Sequence, residues 1–285
     1  MAMNRFVRNR RGRLRVWPLL IFGVFFAIYY FTNQESVPVT GRTQLVDISR
    51  EQEAALGLQS YQQILSQADV VRGGEVVETV RDIGRRLAAV AEDPGFDWEF
   101  NVIDSDQVNA FALPGGKVAV YAGLLPVAGN DDALAAVMGH EIAHAIARHG
   151  AERMAHQKLA QYGSLAVGVA IGEMDIQTQR MVMGALGVGA QYGVLMPFSR
   201  KHETEADYIG LLYVARACFD PTEAPALWER MGEGGPTQAE FLSTHPNPAT
   251  RIENFREWMP EALRVREEYC GEEGVRPLRE GSDPS

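Results

Sequence analysis

His140-Glu141-Ile142-Ala143-His144 sets two imidazoles four residues apart with a carboxylate beside the first. On a helix such positions lie one above the other on a single face, so both rings can grip one metal ion. Glu141 then stands beside the ion, where it can take a proton from a bound water. A hydrolytic zinc site needs three protein ligands and one open position. The segment from Ser199 to Asp207 supplies the third, and Glu203 is the expected ligand, completing with His140 and His144 a set for one Zn²⁺ per chain. Asp207 follows one turn later, placed to accept a hydrogen bond from the outer nitrogen of a ligating histidine and so fix its tautomer. Glu205 competes for the ligand role, but two residues along a helix is about 200° around its axis, which turns it away from Glu203 and Asp207. His149, His156 and His202 read as surface residues.

The elements that must hold these groups follow from local pattern. Asn130 is a capping residue, Asp131 and Asp132 suit a first turn, and strong helix formers run up to the pentapeptide. No Gly or Pro interrupts residues 141–148, so the ligand spacing is helical. Upstream, residues 47–67 and 75–91 read as amphipathic helices, and 98–103 alternates like a strand. Residues 111–121 read as a second extended segment bent at Pro114-Gly115-Gly116. Further helices begin near Pro221 and Pro248. The Gly-rich apolar stretch 181–197 suggests a buried or membrane-facing helix rather than a span. Residues 271–285 are polar, contain Gly and Pro, and are expected to be disordered. The order fits an α+β, mostly helical catalytic domain over residues 40–270 with a small sheet.

Five motifs in sequence resemble one family of zinc metallopeptidases. They are Thr40-Gly41-Arg42, the run Asn109 to Gly116, the His140–His144 pentapeptide, Ser199-Arg200 with Glu203 and Ala206-Asp207, and Thr244-His245-Pro246 with Arg251-Ile252. That family includes the CAAX prenyl endopeptidases, the HtpX membrane peptidases, the OMA-type mitochondrial peptidases and the periplasmic BepA and LoiP peptidases. The resemblance implies a gluzincin-like fold and a zinc endopeptidase acting on unfolded or misassembled polypeptides. It also implies a strand edge for extended substrates, with Asn109, Ala110, Phe111, Gly115 and Gly116 as candidate substrate-binding residues. His245 is implied to lie near the metal, either filling its open position at rest or donating to the oxyanion alongside Glu141. A chaperone-like binder with a plugged zinc site is the competing class, and the presence of Glu141, which ligation does not require, favours the enzyme.

Composition sets the remaining bounds. The chain has 285 residues and a formal charge of −10, with six arginines before the first acid, Glu35. That basic cluster, in residues 1–15, adjoins an apolar run rather than forming a folded basic face, which disfavours a nucleic-acid role. The run is expected as an uncleaved transmembrane signal anchor over residues 16–34, with Trp17, Tyr29 and Tyr30 at its ends. The arginines would then stay in the cytoplasm and the catalytic domain would be in the periplasm, anchored in the bacterial inner membrane. The mitochondrial inner membrane is the alternative. Cys218 and Cys270 are too few and too far apart for a thiolate zinc site, and whether they pair stays open.

Overall fold

Asn130 receives the backbone N–H of Ala133 on its Oδ1 at 2.7 Å and so opens the helix that carries the pentapeptide. The computed structural model describes residues 14–92, 94–190, 196–232 and 248–271, and their contacts separate the chain into two compact units.

The larger unit holds the pentapeptide. Helices α2 (Arg50–Ser66) and α3 (Glu75–Ala88) precede and flank a four-stranded sheet of β3 (Val70–Val71), β4 (Glu99–Ile103), β5 (Ala110–Leu113) and β6 (Lys117–Tyr121). The strand order is β3-β4-β6-β5, with β4 parallel to β6 and the other two pairings antiparallel. The second extended segment is thus a hairpin. Gly115 and Gly116 make its turn at φ +86° and +83°, a region that favours glycine, and a Cβ on Gly116 would press on Phe96 and Trp98 at 3.0 Å.

A short helix α4 (Leu125–Ala128) leads into α5 (Asp131–Ile146), and after α6 (His149–Ile171) and α7 (Ile176–Ala190) the chain continues with α8 (Met196–Arg216), α9 (Glu223–Gly232) and α10 (Pro248–Cys270). Every residue of α5 from Ala133 to Ile146 is buried except His144. Such a helix has no polar stripe and belongs in a core; it lies against α3, α9 and β5. Arg148 ends the helical run at φ +60°. The turn is held from the side chain, which donates from Nε to Glu53 Oε2 at 2.6 Å and from a terminal nitrogen to the Ile48 carbonyl at 2.8 Å. Cys218 and Cys270 are disulfide-bonded with Cα atoms 5.8 Å apart, joining the chain just after α8 to the end of α10. In the chain-entropy model a loop of this length contributes about 4 kcal/mol.

Helices α5 and α8 cross at glycine. A Cβ on Gly210 would lie 2.8 Å from the His140 backbone nitrogen and 2.9 Å from the Gly139 carbonyl carbon. Backbone cannot yield as the tip of a flexible side chain can. Gly210→Ala is therefore expected to lower the unfolding free energy by about 1–3 kcal/mol, seen as a lower urea midpoint with an unchanged slope. An unshifted midpoint would show that the crossing tolerates a methyl group.

The smaller unit contains α1 (Trp17–Thr32), the antiparallel pair β1 (Gln34–Ser36) and β2 (Thr43–Leu45), most of α6 (His149–Ile171), and α7 (Ile176–Ala190). Here one expectation needs correction. Helix α1 has 16 residues, which at 1.5 Å per residue is about 24 Å, short of the roughly 30 Å hydrocarbon core. It stops because Asn33 folds its side chain back onto the Tyr29 carbonyl at 2.8 Å and Gln34 enters a strand. Among the described residues no helix is long and apolar enough to cross a membrane, so the expected spanning anchor over 16–34 is not supported. The helix does expose Leu20, Val24 and Phe31, and Trp17, Ile21 and Phe25 line an apolar groove against Tyr162, Leu165 and Val169 of α6. The Gly-rich stretch, expected as a buried or membrane-facing helix rather than a span, is helical as far as Ala190, with Met181 and Val188 exposed. The tail expected to be disordered lies outside the described residues apart from Gly271.

Candidate active site

Helix α5 projects His140 and His144 from one face, and α8 brings Glu203 to them. One ligand atom from each of the three lies within 4.8 Å of the others. The two Nε2 atoms are 3.1 Å apart, and the Glu203 carboxylate is 3.4 Å from His140 and 3.5 Å from His144. Glu141, between the histidines in sequence, is buried. Glu205 is not part of this cluster, as helical phasing leads one to expect.

The donor set fits a divalent metal of the zinc type, which prefers imidazole nitrogen and carboxylate oxygen. Its electrostatics agree. Burial and the Arg251 cation push the His140 pKa down, but the Asp207 and Glu203 carboxylates prevail and raise it to about 9. The pocket therefore favours positive charge where the three groups converge.

Asp207 lies where the sequence places it, with Oδ1 2.9 Å from His140 Nδ1. An acceptor there requires Nδ1–H, which leaves the Nε2 lone pair pointing into the cluster. The sequence did not single out Arg251 or Trp228. Arg251, in α10, donates from Nε to Asp207 Oδ2 at 2.7 Å and from a terminal nitrogen to Oδ1, while a second terminal nitrogen lies 3.5 Å from Glu203. Its guanidinium stacks 3.3 Å above the Trp228 ring. One cation thus holds the carboxylate that orients His140 and sits beside Glu203. Only the Arg-Ile pair within the fifth motif hinted at this residue, and a motif in a loop-to-helix segment carries no indication of its target.

Two histidines expected on the surface are buried. His149 is 2% and His202 1% exposed, and their rings stack at 4.3 Å with 7° between planes. His149 Nδ1 lies 2.8 Å from His144 Nδ1, and its Nε2 is 3.1 Å from Glu205 Oε2. Burial drives the His149 pKa down to about 4 despite Glu205, so the ring is neutral near pH 7. Glu205 accepts from Thr40 Oγ1 at 2.5 Å and from Arg42 Nε at 2.7 Å. Burial would raise its pKa, but the bonds from His149, Arg42 and Thr40 outweigh that and bring it to about 2. His156 is half-buried, 3.8 Å from Glu152.

A model of Peptidase family M48 matches residues 76–259. The mitochondrial metalloendopeptidase OMA1 of Schizosaccharomyces pombe is 39% identical over 279 residues, covering 94% of this chain and 79% of that protein. The Saccharomyces cerevisiae protein of the same name is 34% identical over 275 residues, covering 89% and 77%. The chain belongs to peptidase family M48. The beta-barrel assembly-enhancing protease of Escherichia coli K12 is also similar, 28% identical over 231 residues that cover 79% of this chain and 47% of that protein.

In this M48 peptidase β5 is the terminal strand of its sheet and runs beside α5. Ala110 is buried, Asn109 and Phe111 are half-buried, and the Phe111 ring packs edge-on against Tyr61 and Tyr121. Gly115 and Gly116 lie in the turn that follows. His245 lies outside the described residues.

Proposed function

We propose that this peptidase is a zinc-dependent endopeptidase in which His140, His144 and Glu203 hold the metal and Glu141 is the catalytic base. The convergence of three ligand atoms within 4.8 Å, with a buried glutamate next to His140 in sequence, carries that reading. A zinc ion held there would supply Lewis acidity to the scissile carbonyl and to the attacking water. Glu141 would accept the water proton and deliver it to the leaving amine nitrogen. Asp207, itself held by Arg251, orients His140. The terminal strand β5, next to α5, suits an extended polypeptide that adds to the sheet through main-chain hydrogen bonds, which asks little of substrate sequence.

The substrates we infer are unfolded or misassembled proteins of a membrane-bounded envelope. The Escherichia coli relative, a beta-barrel assembly-enhancing protease by name, supports this. The Cys218–Cys270 disulfide suits an oxidising compartment, and the exposed apolar residues of α1 suit membrane association. The bacterial inner membrane facing the periplasm meets these conditions. The mitochondrial inner membrane does so as well, and the similarity to the two OMA1 proteins favours it as the second reading.

Purified protein should contain one zinc per chain by elemental analysis and cleave casein. A chelator should remove both properties together and stoichiometric zinc should restore them. Glu203→Ala should purify folded with little zinc. Full cleavage of casein by verified metal-free protein would overturn the proposal.

A further inference from the structure

We propose that His149, aimed by Glu205, is a positioning residue that sets the tautomer of His144, leaving the His144 Nε2 lone pair free for the metal. This inference rests on the zinc reading of His140, His144 and Glu203. The two Nδ1 atoms are 2.8 Å apart, and a nitrogen-to-nitrogen contact this short holds one proton, donated by one ring and accepted by the other. Glu205 decides which ring donates. Its carboxylate already receives Arg42 Nε and Thr40 Oγ1, and an ionised carboxylate can only accept, so the neighbouring His149 Nε2, 3.1 Å away, must carry hydrogen. In a neutral imidazole the other nitrogen is then an acceptor. His149 Nδ1 therefore accepts from His144 Nδ1–H, and the His144 Nε2 is left bare on the side facing His140 Nε2 and Glu203.

The neutral state of His149 also follows from its surroundings. Arg42 already balances the charge of Glu205, with a terminal nitrogen at 2.7 Å from Oε2 as well. A second cation at His149 would be buried against the face of His202 and would have to share Glu205 with Arg42.

Both pentapeptide histidines are thus oriented from behind by different devices. His140 bonds directly to a carboxylate, Asp207. His144 reaches its carboxylate through an intervening imidazole. This arrangement gives a role to Thr40-Gly41-Arg42, which lies before the segment matched by the family model and is separated from Glu205 by more than 160 residues. It also explains why two acids two residues apart on α8 can serve one site from opposite sides: Glu203 faces the cluster, and Glu205 faces the back of His144.

The test compares the wild type with His149→Phe, His149→Asn and Glu205→Ala, each checked for folding by its unfolding midpoint. Zinc affinity is measured by competition with a chromogenic chelator, and the His144 tautomer by long-range ¹⁵N–¹H correlation in the metal-free protein. His149→Phe keeps the ring stacked on His202 but has no acceptor, and should weaken zinc by about 10- to 100-fold, the usual loss for such an outer partner. His149→Asn presents an oxygen near the former Nδ1 and should recover most of the affinity. Glu205→Ala should weaken zinc by about tenfold. Metal-free wild type should show His144 protonated at Nδ1, and His149→Phe should lose that preference. Tight zinc binding in the wild type with unchanged affinity and tautomer in His149→Phe would overturn the relay and leave the zinc reading standing. A wild type that takes up no zinc would overturn both.

Discussion

Glu141→Gln leaves zinc bound and the fold intact while lowering turnover by about 10²–10⁴-fold, the span that a positioned general base contributes. The amide matches the carboxylate in volume, which matters because Glu141 is only 4% exposed within a helix buried on nearly every side. A smaller residue would add a cavity and a larger one would overpack a buried site, and either would blur a chemical effect with a structural one. The amide cannot accept the water proton, and the groups proposed as metal ligands are untouched. The measurement is casein or fluorogenic-peptide turnover at matched zinc content, with unfolding midpoints as the control for folding. Near-normal turnover in zinc-loaded Glu141→Gln would falsify the assignment of the base.

Loss of Arg251 is expected to have the largest effect on stability. The guanidinium is 3% exposed and pairs through two nitrogens with Asp207 while lying on Trp228. Arg251→Ala leaves the Asp207 carboxylate buried without its cation and opens space beside the indole. Breaking a buried pair from one side costs about 3–5 kcal/mol, and that loss is expected in the urea unfolding free energy. Arg251→Lys should recover only part of it, because a point-like ammonium cannot form the paired contact or stack as a plane. Zinc affinity should fall as well, since Asp207 would no longer be held against His140 Nδ1. A change below about 1 kcal/mol in Arg251→Ala, the level of an exposed pair, would show that the network is solvent-screened.

Local periodicity carried much of the site into the sequence. His140 and His144 are four positions apart, as are Glu203 and Asp207, which is a helical spacing, and both helices form: α5 from Asp131 to Ile146 and α8 from Met196 to Arg216. The same phasing turned Glu205 away from Glu203, and the structure has it there, against Arg42 and His149. Strand alternation and the Pro-Gly-Gly turn were enough for β4, β5 and β6. In each case the informative residues belong to one element, so a rule linking i to i+2 or i+4 suffices.

Beyond one element that information ends. A continuing helix would carry His149 about 140° around the axis from His144, and on that basis it read as a surface residue. Arg148 instead adopts φ +60°, a conformation that arginine does not advertise and that is held by Glu53 and the Ile48 carbonyl, almost a hundred residues earlier. That single reversal swings His149 back onto His144. Arg251 reaches Asp207 from a different helix, 44 residues on, and nothing in its neighbours distinguishes a buried, paired arginine from a solvated one. The length of α1 was likewise set by where Asn33 and Gln34 leave the helix for a strand, a choice made by pairing with β2 rather than by apolar content. The sequence by itself determined which groups could bind a metal and activate water, because those groups are spaced by helical geometry. Only the tertiary structure decided how each histidine is oriented, because the partners that orient them are brought together by packing between distant segments.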